Sequence, residues 1–316
     1  MDRKDITALF TIASFLATIT MVVGAVRIAN AAKLSRVNQL LTTRECGGCE
    51  LESVRLRDSN LEEVNLEYAN LSNAYLFSAQ MRKSNLVGAR LDDANLSEAD
   101  LREAHMVDAV MTRAKMDEAD LEGADLRQVY LGDASLRGIN LEGAHLADAV
   151  LSRADMGKAD LDGAILLGAN LAEANLSGAN LEAADLRRSY LGDASLKDAR
   201  LVRAMLLRAN LSRTNLSGAN FKGAQLGEAD LTMADLSNAN LEQSDLTRAS
   251  LTRASLTHAN LTGANLQQAI LRRVNLRNAN LTNTNLRGAS LQEARMEGAL
   301  FCNTIMPDGR IESSGC

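Results

Sequence analysis

From Leu51 to Phe301 every fifth residue is Leu, Met or Phe, 51 positions in a row: 43 Leu, six Met (Met81, Met106, Met111, Met116, Met156, Met296) and two Phe (Phe221, Phe301). Two residues before each stands a small residue, nearly always Ala. A period of five matches neither the 3.6-residue turn of a helix nor the alternation of a strand, and such a repeat decides the architecture before any local assignment. It fits a coil in which every side turns one large and one small residue inward and leaves three facing water. The composition agrees with a core of Leu and Ala, since 46% of the 316 residues are hydrophobic but only 3% aromatic, with no Trp and one Pro. Such a chain has little material for the aromatic walls of a large ligand pocket.

The repeat reads A-(D/N)-L-x-x in Ala169-Asn170-Leu171, Ala179-Asn180-Leu181, Ala229-Asp230-Leu231 and Ala259-Asn260-Leu261, and in this it resembles the pentapeptide-repeat family. The resemblance implies an all-β solenoid, a right-handed quadrilateral β-helix with four pentapeptides and 20 residues per coil. Val54, Val64, Val129, Ile139 and Val274 depart from the motif at the small position and ask for local room. Internal duplications support the 20-residue coil: ADLEGADLRQVYLGDASL at 119–136 returns as ANLEAADLRRSYLGDASL at 179–196, and HMVDAVMTRAKMDEADL at 105–121 as HLADAVLSRADMGKADL at 145–161. The offsets are 60 and 40, whole coils, which a solenoid tolerates because each repeat contacts mainly its neighbours. Nearly 13 coils at about 4.8 Å give a rod roughly 60 Å long. A rod filled by Leu and Ala rows has neither mouth nor lumen, which counts against an enzyme or a channel.

The chain divides into an N-terminal membrane anchor or uncleaved signal (1–32), a capping segment with a CxxC (33–50), the β-helix (51–301) and a C-terminal cap (302–316). Ile6–Val26 is an uncharged run of 21 residues between Asp2, Arg3, Lys4 and Asp5 on one side and Arg27 on the other, long enough to span a bilayer as a helix. The alternative is a cleaved signal peptide, because Ala29-Asn30-Ala31 has the small-x-small form of a cleavage site. The run exceeds the usual apolar region of about 7–15 residues, and Arg27 intervenes before the site, so an anchor is expected. Arg27, Lys33, Arg36 and Arg44 outnumber Arg3 and Lys4, and the excess favours a cytoplasmic body.

The cysteines point the other way, since pairs at both ends suit an oxidising compartment. Cys46 and Cys49 fall on the large and small inward positions, as core thiols or as a tight disulfide; a Cys302–Cys316 bridge would close about 15 residues, worth roughly 3 kcal/mol in the chain-entropy model. Free thiols at both ends are the alternative. The LLTTRECGGCEL lead-in and FCNTIMPDGRIESSGC tail resemble those of cyanobacterial pentapeptide-repeat proteins of the periplasm or thylakoid lumen, which implies an extracytoplasmic body. In KLSRVNQLLTTR, Leu34, Val37, Leu40 and Leu41 fall at helical spacing and could lay an apolar face over the first coil.

Steps of 20 list the residues stacked on one side. Asp93, Arg113, Asp133, Arg153, Glu173, Asp193 and Arg213 form a charged row, expected to hold register. His105, Asp125 and His145 form a polar ladder; with the histidines two coils apart, near 10 Å, and zinc ligands lying about 2 Å from their ion, no metal site is expected. Val110, Tyr130, Val150, Asn170 and Tyr190 occupy an outward position that elsewhere is mostly Asn or Asp, and Val107, Ile165, Leu167, Met205 and Leu207 point outward on the adjoining side. Contiguous apolar surface marks binding sites.

Residues 51–150 hold 10 Lys or Arg against 19 Asp or Glu, and residues 201–300 hold 11 against 7, so the rod is acidic near its start and basic near its end. No nucleophile with a base, phosphate-cradling loop or metal-ligand spacing stands out, and neither cofactor nor small-molecule substrate is expected. The leading expectation is a non-enzymatic scaffold, anchored in a membrane through residues 6–26, whose rod offers a flat side to a protein partner. The alternatives are a DNA-mimicking inhibitor of a nucleic-acid enzyme, as some relatives are thought to be, and a thiol- or metal-dependent redox protein.

Overall fold

The computed structural model describes residues 32–316. The Ile6–Val26 run and the Ala29–Ala31 site lie outside them; among the described residues no helix is long and apolar enough to cross a membrane. One helix, α1 (32–43), precedes the solenoid, in which parallel bridges join every fifth residue to the one 20 further on, from Glu45 with Asn65 to Asn285 with Ile305. A short antiparallel hairpin, β1 (Thr304–Ile305) with β2 (Ile311–Glu312), closes the chain.

Each pentapeptide is one turn and one bridge. The Leu121 carbonyl accepts the Ala124 N–H at 3.0 Å, and Gly123 between them has φ 64°. A left-handed third residue is what a type II turn requires. The same conformation recurs where the residue carries a Cβ, as at Arg153 (φ 58°), Glu173 (φ 60°) and Gln243 (φ 57°), at some steric cost. The three outward positions are therefore not equivalent.

The Asn or Asp before each Leu has a separate task. The Leu N–H and the third-residue N–H bond to the next coil, as Leu171 to Tyr190 (2.7 Å) and Glu173 to Gly192 (3.0 Å). The N–H between them has no main-chain acceptor, and the Asn or Asp Oδ1 receives it: Ala172 donates to Asn170 at 3.1 Å, Thr232 to Asp230 at 2.9 Å. This is the Asx turn. The free Nδ2 then donates down the stack, as Asn240 to Asn220 (3.2 Å) and Asn260 to Asn240 (3.1 Å).

Inside, the Leu and Ala rows are buried from Leu51 to Ala289, including Phe221 and the five β-branched departures Val54, Val64, Val129, Ile139 and Val274. Hydroxyls at the small position bond main-chain carbonyls at Ser189 (to Leu186, 2.7 Å) and Thr214 (to Leu191, 2.9 Å), whereas the buried Ser84 Oγ has no partner.

At the start of the rod α1 caps the open edge, but rolled away from the expected arc. Leu40 is buried and Val37 packs on the core, whereas Leu34 is 62% and Leu41 43% exposed. The helix faces the coil with Lys33, Arg36, Val37 and Leu40, an arc of about 100°. First-coil carbonyls that a preceding coil would have paired govern the roll: Lys33 donates to Glu52, Arg36 to Glu50 (3.3 Å) and Gln39 to Glu45 (3.1 Å). Exposed β-edges template association, and these donors occupy this one.

Cys46 and Cys49 are bonded to each other on the Leu and Ala rows of the first coil, and Cys302 is bonded to Cys316 across the last. The tail folds tightly there: a Cβ on Gly315 would lie 2.6 Å from Leu300 Cδ1 and 2.9 Å from Phe301 N.

Candidate interaction surface

Main-chain bridges align Val110, Tyr130, Val150, Asn170 and Tyr190 on one side of the rod. Tyr130 is 49% and Tyr190 57% exposed; three coils separate them, about 14 Å. Val and Tyr lack the Oδ1 that caps the next-but-one amide, so a capping bond has been given up at each. The residues bearing those amides, Thr112, Gly132, Ser152 and Gly192, make the floor beside the rings. Neither glycine is forced: a Cβ on Gly132 would meet Ser152 O at 3.7 Å, and one on Gly192 would meet Ser212 Oγ at 3.6 Å. Both are ordinary contacts, so the packing does not require the floor to be so low.

One edge of this side is the charged row, which resolves into clasped pairs. Arg113 reaches back one coil to Asp93 (2.6 Å), and Arg153 holds Asp133 through Nε to Oδ1 and Nη2 to Oδ2, both 2.7 Å; Arg213 holds Asp193 in the same way. Hydrogen bonds from these guanidiniums hold all three carboxyls below the usual aspartate range. Glu173, midway, is in no ion pair among the described residues, although Arg153 one coil below feels its charge. The 60-residue duplication thus yields two matching stations: Tyr130, Gly132 and the Asp133–Arg153 pair, then Tyr190, Gly192 and the Asp193–Arg213 pair.

On the adjoining side a clasped ion pair stands among the apolar residues. Ile165 and Met205 bracket Asp185, which is nearly buried and clasped by Arg187 (Nε to Oδ1 2.8 Å, Nη2 to Oδ2 2.6 Å). The Arg187 guanidinium shares a hollow of about 260 Å³ with Leu167 and Leu207, while Val107 lies three coils below Leu167, beside Arg127. Asp-Leu-Arg occurs at 100–102, 125–127 and 185–187 and folds into the same clasp each time. The tripeptide was the signal that could have located these pairs. The clasp also decides the histidine ladder: Asp125, between His105 and His145, is bonded to Arg127, whose hydrogen bond holds its carboxyl below the usual range.

The chain matches the family model described as pentapeptide repeats in successive stretches between residues 55 and 306. Among solved structures it is similar to HetL, a pentapeptide repeat protein involved in heterocyst differentiation regulation in the cyanobacterium Nostoc sp. strain PCC 7120. The match has 38% identity over 67% of this chain and 91% of that one, with a TM-score of 0.44. Full-length QnrB1, a plasmid-mediated fluoroquinolone resistance protein, matches at 18% identity over 62% and 90%, TM-score 0.49. A pentapeptide repeat protein of the Arabidopsis thaliana thylakoid lumen matches at 35% over 33% and 65%, TM-score 0.19. No curated protein matches.

Proposed function

The chain belongs to the pentapeptide-repeat family, and on that premise we propose that it is a non-enzymatic interaction rod, tethered to a membrane through residues 6–26. Its docking face for a protein partner is the side that carries Tyr130 and Tyr190. The observation that carries the reading is the pair of matching stations, each an exposed ring over a glycine floor with an ion pair at its edge. Exposed aromatic anchors dominate association energies, with truncation costing about 2 kcal/mol or more at a true hot spot. In a notch of about 570 Å³ on another side, the lining residues Arg137 and Asp155 are bonded to each other and Asp117 accepts from Ser135. The bonded cysteines at both ends support an extracytoplasmic body.

The test is Tyr130→Ala with Tyr190→Ala in the full chain, purified in mild detergent. Neither ring is in the core, so the expected result is an unchanged melting temperature and release of the co-purifying protein. Retention of that protein would move the docking face elsewhere.

A second reading, mimicry of a duplex polyanion, is favoured by another side, where Asp120, Glu122, Glu142, Asp160 and Asp162 stand within about three coils. Five charges over roughly 10 Å are at least as dense as phosphates along one strand, about 3.4 Å apart. Under it, binding of a nucleic-acid enzyme would weaken steeply with salt and survive loss of both tyrosines.

A further inference from the structure

On a solenoid with 20 residues per coil, residue number measures height. Tyr130 and Tyr190 lie equally far from level 160, so a twofold axis crossing the rod at that level in the plane of this side would set each station against its counterpart in a second, antiparallel rod. A contact of this kind is isologous. It keeps each corner of the side facing the same corner of the other copy, so the opposed residues follow from the bridges already described.

On this side Asp108, Asp148, Glu173 and Asp230 have no ion pair among the described residues. In the antiparallel register Asp108 falls opposite Arg208, Glu173 opposite Arg153, and Asp230 opposite Arg90; each of these guanidiniums already holds a carboxylate of its own chain (Glu228, Asp133 and Asp92) and has further N–H donors to share with the facing one, while Asp148 falls opposite Gly168. Gly132 meets Gly192, so the two low floors coincide and leave room for the four rings. At the corner shared with the adjoining side, Val107 comes opposite Leu207 and Tyr68 opposite Arg248, whose guanidinium can lie on the ring face. The stacked pairs that meet like with like, Asp133 against Asp193, Arg113 against Arg213 and, at the shared corner, Arg127 against Arg187, are each neutralised within their own chain.

We infer that the partner of the Tyr130–Tyr190 side is a second copy of this chain, docked antiparallel about a twofold axis at the level of Val150 and Asn170. This rests on the reading that the tyrosine side is the docking face. The contact runs from the level of Tyr68 to that of Arg248, nine coils or roughly 43 Å, and about 10 Å across. That is roughly 450 Å² per copy, at the low end for specific interfaces, so the dimer is reversible and concentration-dependent.

Thr112 and Ser212 lie on the same row and face one another only in this register; in the antiparallel dimer two copies of Thr112 are about 24 Å apart. Full-length Thr112→Cys and Ser212→Cys variants, in mild detergent with a short bismaleimide, should give cross-linked dimer when mixed and none when treated separately. Asp108→Arg should reduce the yield at least tenfold at fixed protein concentration, and Asp108→Arg with Arg208→Asp should restore it. Cross-linking of either cysteine variant alone, none in the mixture, or a yield indifferent to the charge exchange would overturn the antiparallel dimer. If the mixture fails while a different protein is still captured through Tyr130 and Tyr190, the second copy is excluded and the docking face stands. If neither occurs, both fall.

Discussion

The guanidinium of Arg44 lies on Asn60, donating to its main-chain carbonyl at 2.8 Å and to its Oδ1 at 3.1 Å. Asn60 stands at the open edge of the first coil, so this bond, with those from Lys33, Arg36 and Gln39, replaces the coil that is not there. Arg44→Leu should cost about 1 kcal/mol, the usual net worth of a hydrogen bond, with faster amide exchange confined to the first coil. Light scattering should reveal association through the freed carbonyl edge; uniform loss of protection along the rod would contradict this account of the cap.

Leu171 is fully buried in the middle of the rod. Leu171→Asp places an unpaired carboxylate among Leu and Ala side chains and should prevent folding or lower the melting temperature severely. Leu171→Met conserves volume and should cost under about 1.5 kcal/mol. Similar melts for the two would overturn the division into inward and outward faces.

Gln243 holds φ 57° at the third position of its turn and is exposed. Gln243→Gly removes the steric cost of that conformation at some expense in chain entropy, and should be neutral to stabilising within about 1 kcal/mol. Gln243→Ile, branched at Cβ, should destabilise by about 1–2 kcal/mol. Urea midpoints in the reverse order would show that the left-handed position carries no constraint.

The solenoid and its inward rows were legible because a period of five leaves one coil that can bury both the Leu and the Ala. The rows at Val110–Tyr190 and Asp93–Arg213 followed from the 20-residue coil alone. The left-handed third residue was harder to see, since Arg153 and Glu173 mask what Gly123, Gly143 and Gly163 suggest. The roll of α1 escaped a reading based on apolar spacing because main-chain carbonyls of Glu50 and Glu52, invisible in sequence, draw Lys33 and Arg36 inward. The ion pair set between Ile165 and Met205 escaped for a similar reason: Asp185 and Arg187 look like two surface charges until the turn brings them into one clasp.

Arg153 holds the Asp133 carboxyl below its usual range through paired hydrogen bonds. A carboxylate depressed in the folded state adds stability above its unfolded value and loses it as pH falls through the folded one. Stability should therefore decline on acidification through and below the ordinary aspartate range, less steeply in high salt because the pair is exposed. Arg153→Ala should return the Asp133 titration, followed by carboxyl NMR, toward the ordinary value. An unchanged titration would mean the clasp does not persist in solution.

The two disulfides should differ in what they contribute. Cys302 and Cys316 are 14 positions apart and close a loop across the last coil, so replacing both with Ser should cost about 3 kcal/mol in the chain-entropy model. Cys46 and Cys49 are three apart, already joined by the Cys49 N–H to Cys46 carbonyl bond at 3.1 Å, and sit where the repeat elsewhere places Leu and Ala. Cys46→Leu with Cys49→Ala rebuilds the ordinary repeat and should melt within a few degrees of the parent. The same bonds report on location, because structural bridges persist only in oxidising compartments. In protein isolated from its host under alkylating conditions, Cys302 and Cys316 should both resist the reagent until reduced. Alkylation of both before reduction would place the rod on the cytoplasmic side, where the excess of Arg27, Lys33, Arg36 and Arg44 would hold it.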